Sequence, residues 1–93
     1  MQHVARWFLE SVGLRLGDRH DPVDVANRWG FRIRPRREGS KIGLCRYDTI
    51  WVDPDLEGPE RSRVIAMELA YLAILIRGER VDAEALAGAI FDF

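Results

Sequence analysis

From Val64 to Ile76 the chain runs through thirteen residues that are apolar or aromatic with one exception, Glu68. Nothing else in the sequence constrains the fold as strongly. A helix this apolar must lie against most of what surrounds it. A bilayer needs about 20 apolar residues, so the run is too short to span one. It is also interrupted by a carboxylate. With 93 residues the chain is expected to form a single domain, 1–93, around a modest core. Gly58-Pro59-Glu60 opens the helix, and Arg77 and Gly78 close it.

The remaining elements arrange themselves around that helix. Val4, Trp7, Phe8 and Val12 recur at helical spacing, which predicts a first helix over 2–13 ending at Gly13. Asp21 and Pro22 start a second, "PVDVANRWG", ending at Gly30. The period then changes to two. In "FRIRPRR" Phe31, Ile33 and Pro35 alternate with arginines, as in a half-buried strand, and Pro35 places it at an edge or at its end. "KIGLCRY" and "TIWVD" predict two more strands joined by a tight turn at Tyr47–Asp48. Asp82 caps a fourth helix, "AEALAGAIFDF". The expected fold is α+β: two N-terminal helices, a small three-stranded antiparallel sheet, the central apolar helix and a C-terminal helix.

Charge is unevenly distributed. Residues 28–46 hold seven basic side chains against Glu38, whereas residues 47–93 hold ten acidic against four basic. The net charge is −1, so no overall field favours nucleic acid or membrane. Arg32, Arg34, Arg36, Arg37 and Lys41 form a basic surface, with Tyr47 and Trp51 near enough in sequence to supply stacking. Such a strand can follow a phosphate backbone, but its ordinary role is a solvated sheet face balanced by the acidic half. Trp7, Trp29 and Trp51 read as core or anchor residues. Cys45 is the sole cysteine, which excludes an intrachain disulfide and fits a reducing compartment. No histidine is placed to activate it, so it reads as a core residue. MQHVARWFLESVG reads as an amphipathic helix rather than a signal peptide, and the expected location is the cytoplasm.

Glu68 demands an explanation. Burying an unpaired carboxylate costs several kcal/mol or raises its pKa until it holds a proton. It is therefore either a structural acid tied to an arginine (Arg61 lies two turns earlier on the same side) or what is left of an active site. At about 100° per residue, Met67, Glu68 and Tyr71 share one helix face. In zinc peptidases of the H-E-x-x-H type, two imidazoles one turn apart hold the metal and the Glu activates water. Here the same span reads Met67-Glu68-Leu69-Ala70-Tyr71.

The ordered set "VANRWGFRI", "TIWVDPDL", "RSRVIAMELAY" and "EALAGAI" resembles the ImmA/IrrE family of metallopeptidase-like proteins over roughly residues 21–93. The resemblance implies a zincin-like minimal domain. It matches Glu68 to the general base and Glu84 to the acidic third zinc ligand. Met67 and Tyr71 stand where the two ligand histidines belong, and Ile90 where the family usually has Phe. Thioether and phenol are poor zinc ligands beside a carboxylate. No cofactor is therefore expected, zinc included, and no residue is assigned as catalytic. Met67, Glu68, Tyr71 and Glu84 are expected to be a vestigial site, clustered with an arginine or water between them.

The resulting expectation is a pseudopeptidase: a catalytically inactive interaction or regulatory module. Members of the family act on helix-turn-helix repressors, so the resemblance implies a transcription regulator as protein partner. Such a domain can still hold a peptide as an added strand. Self-association is a further expectation, because a small core gains from covering apolar surface. Two alternatives stand beside it. One is a residual zinc peptidase with substitute ligands, for which His3 and His20 are the only imidazoles. The other is a nucleic-acid-binding module using the basic strand 31–37.

Overall fold

The computed structural model describes residues 1–35, 44–46 (backbone alone) and 48–91. In chain order they form α1 (Gln2–Glu10), α2 (Pro22–Arg28), β1 (Arg32–Pro35), β2 (Leu44–Arg46), β3 (Thr49–Val52), α3 (Gly58–Arg77) and α4 (Ala83–Phe91). Turn chemistry sets several of these limits. At Gly13 (φ 78°) and Gly30 (φ 90°) the backbone turns left-handed, which glycine accepts without a Cβ clash. Beyond Gly30, Phe31 N–H bonds back to the Ala26 carbonyl at 2.9 Å, closing α2 and aiming the chain into β1. The first helix is shorter than its apolar spacing predicts, because residues 11–13 form the closing turn. Asp21 precedes α2 without a side-chain cap, whereas Asp82 Oδ2 accepts the Ala85 N–H at 3.0 Å and does cap α4.

The sheet corrects the expected topology. Its strand order is β1-β3-β2, with β3 inserted between the other two. β1 runs parallel to β3, pairing Arg32 with Thr49, Ile33 with Ile50, Arg34 with Trp51 and Pro35 with Val52. Only β2 is antiparallel to β3. The three-stranded antiparallel sheet is therefore not formed, and with it falls the zincin-like minimal arrangement that the resemblance implied. The physical reason lies in burial. In β3, Ile50 and Val52 are buried, while Arg32, Arg34 and Pro35 of β1 are exposed. The apolar strand takes the centre and the arginine strand an edge, where the missing N–H of Pro35 breaks no ladder.

The core joins all four helices to β3. Val4, Ala5, Phe8 and Leu9 of α1 meet Val25 and Ala26 of α2, Ile65, Ala66, Leu69, Ala70 and Ala73 of α3, and Leu86, Ala87 and Ile90 of α4. Alanines on α3 let its neighbours approach closely. Trp29 stacks on Phe8, with ring centroids 4.8 Å apart, and its indole N–H donates to the Phe8 carbonyl at 3.1 Å.

α3 packs against α1, α2, α4 and β3, yet it is not covered throughout. Tyr71, Leu75 and Ile76 remain 55%, 78% and 54% exposed. Twenty residues make α3 about 30 Å long, whereas the nine residues of α4 reach only about 14 Å. The shorter helices cannot sheathe it.

Candidate functional site

The face of α3 left partly open carries the residues singled out in the sequence. Met67, Glu68 and Tyr71 line a groove of about 520 Å³ together with Leu56, Glu60, Arg63 and Val64, and with Glu84 from α4. Two short devices set its walls. The Asp82 cap starts α4 so that Glu84 falls in its first turn. A turn before α3, with Leu56 N–H donating to the Asp53 carbonyl at 3.1 Å, brings Leu56 to the other side. Four residues drawn from two helices thus share one cavity, although Glu84 is far from Glu68 in sequence.

Among the described residues, Arg63 is the cation of the groove. Its Nη2 lies 3.3 Å from Glu84 Oε1, in a pair exposed on both sides. Such a pair contributes at most about 1 kcal/mol. Arg61, which shares a helix face with Glu68 by spacing, instead lines a smaller pocket of about 110 Å³ with Arg34, Asp53 and Pro54. Glu68 has neither a hydrogen bond nor an ion pair among the described residues. Burial alone pushes its carboxyl up from an ordinary 4.5 to about 7.

That shift has a definite sign. Between pH 4.5 and 7 the folded chain holds a proton on Glu68 that the unfolded chain has released. Stability is full below 4.5 and declines as pH rises through 7. Glu68 is half-buried rather than enclosed, so solvent screening reduces the penalty to about 1 kcal/mol. Glu68→Gln is expected to be more stable than the native chain by that amount at pH 8 and equal to it near pH 4.5. Urea unfolding of both proteins at the two pH values measures the difference.

The groove's donors do not fit a zinc ion. They comprise one thioether, one phenol and carboxylates held on different helices. Among the described residues, no group of three or more His, Cys, Asp or Glu side chains could hold a metal. His3 lies on α1, 2.8 Å from Glu79, and His20 bonds the Arg15 carbonyl at 2.6 Å, so neither reaches the groove. The Glu79 contacts with Arg77 and His3 tie the end of α3 to the start of α1 and lower the Glu79 pKa, Arg77 contributing most.

Arg32 and Arg34 are exposed on the edge strand and form no ion pair among the described residues. Arg36, Arg37, Lys41 and Tyr47 lie outside the described residues, as does the Cys45 side chain. Ile90 is buried in the core rather than in the groove. Sequence reasoning missed Leu56, Glu60, Arg63 and Val64. Helical spacing could have found three of these, since Glu60, Val64 and Glu68 advance by four, as do Arg63, Met67 and Tyr71. Leu56 carries no such signal. No described helix is long and apolar enough to cross a membrane. No family model, curated protein or solved structure matches the chain.

Proposed function

We propose that the chain is a metal-free relative of ImmA/IrrE peptidases that has kept the peptidase groove as a protein-interaction site. One observation carries this reading: the four residues at the family's ligand and base positions, Met67, Glu68, Tyr71 and Glu84, line a single groove. Met67 and Tyr71 put apolar bulk where imidazoles would stand. Glu68 keeps its half-buried place without the cation that would explain it. Thioether and phenol are poor zinc ligands, so on this reading Glu68 has no metal-bound water to activate and the groove binds without cleaving. A transcription regulator is the first partner to test, on the strength of the sequence resemblance alone.

Protein purified without chelator and analysed for metals should hold zinc at far below one ion per chain. Stoichiometric zinc that disappears in Glu68→Gln and Glu84→Gln would reverse the reading in favour of a working metalloenzyme.

A further inference from the structure

The groove has a shape and a charge that together specify an occupant. Val64, Met67, Tyr71 and Leu75 advance by three, four and four residues. They therefore form one ridge along α3 of about 16 Å, the length of three helical turns. Val64 and Met67 are half-buried, whereas Tyr71 and Leu75 are 55% and 78% exposed. The described residues lining the groove come from α3, α4 and the turn before α3, and none from a strand. A straight apolar ridge accepts another helix, ridge against groove.

Charge decides which helix. Glu60, Glu68 and Glu84 border the apolar strip, and among the described residues the one cation lining it, Arg63, is paired with Glu84. A second copy of the chain laid face to face across a two-fold axis would add a second set of the same carboxylates to one interface. Like charges in a half-buried interface oppose association, and opposite charges favour it.

We propose that the α3 groove docks a basic amphipathic helix of a partner protein. Apolar side chains of that helix cover Val64, Met67, Tyr71 and Leu75, and a lysine or arginine meets Glu68 and favours its ionised form. This inference rests on the reading of the groove as an interaction site, and it names the chemistry of what enters.

The test uses three synthetic amphipathic helical peptides with the same leucine positions and with lysine, glutamine or glutamate at the others. Each is titrated into the isotope-labelled full chain and followed by amide chemical shifts. The lysine peptide should perturb Val64, Met67, Tyr71 and Leu75 and bind roughly tenfold or more tightly than the glutamate peptide. Glu68→Gln should narrow that gap. Tyr71→Ala with Leu75→Ala, both exposed and thus harmless to the core, should abolish binding. Equal binding of all three peptides would overturn the charge specificity while leaving an interaction groove. Binding of none would overturn the inference. Concentration-dependent shifts of the same residues without peptide would replace the partner helix with a second copy. Zinc analysis of the native chain is independent of all these outcomes, so failure here is distinguishable from failure of the metal-free reading.

Discussion

Leu69→Ala is expected to lower the unfolding free energy by about 3 kcal/mol. Leu69 is fully buried and lies midway along the helix that packs against every other helix and the central strand. Removing its isobutyl group forfeits apolar burial and leaves a cavity that the alanine-lined neighbours cannot fill. A domain of this length commands only about 5–14 kcal/mol in all. The variant should therefore unfold at a markedly lower urea midpoint with an unchanged slope. Leu75→Ala supplies the contrast. It removes the same atoms from the same helix at a site 78% exposed, and should change stability by less than about 0.5 kcal/mol. Equal losses in the two variants would show that α3 is not buried on the side described.

The helices were largely legible in the sequence, because glycine, proline and apolar spacing act locally. Gly13, Gly30 and Gly78 follow their helices as anticipated, and the Asp82 cap forms. The sheet was not. Alternation in "FRIRPRR" and "TIWVD" reveals which faces are buried but not which strands are neighbours. The insertion of β3 between β1 and β2 depends on competition for burial, which no short window contains. The uncovered end of α3 escaped notice for a similar reason: exposure of Leu75 and Ile76 follows from the shortness of the helices around them. At the site, Met67, Glu68 and Tyr71 could be grouped by helical geometry. Glu84 entered through the family resemblance, and its position across the groove depends on tertiary packing. Spacing alone left the arginine of the cluster open: Arg61 lines the pocket beside Asp53, and among the described residues Arg63 is the cation lining the groove.

Met67→His combined with Tyr71→His is the second large effect. The two positions are one turn apart on α3 and both line the groove, as does Glu84. Two imidazoles and a carboxylate make a three-ligand zinc set of the kind used when the fourth position is left open. Neither substitution removes a fully buried side chain, since Met67 is half-buried and Tyr71 is exposed. The Arg63–Glu84 pair must yield for Glu84 to ligate. It is exposed and contributes at most about 1 kcal/mol, whereas micromolar zinc binding supplies about 8 kcal/mol. The ion therefore wins that competition. Binding should also stabilise the fold by mass action, giving a melting temperature that rises with zinc in the variant and not in the native chain.

Isothermal titration of zinc into the folded double variant, with the native chain and a triple variant adding Glu84→Ala alongside, tests the ancestry of the groove most directly. One ion per chain at about micromolar affinity or tighter is expected for the double variant, with marked weakening in the triple variant and none in the native chain. A double variant that folds as the native chain does and still takes up no zinc would contradict the descent of this groove from a peptidase site.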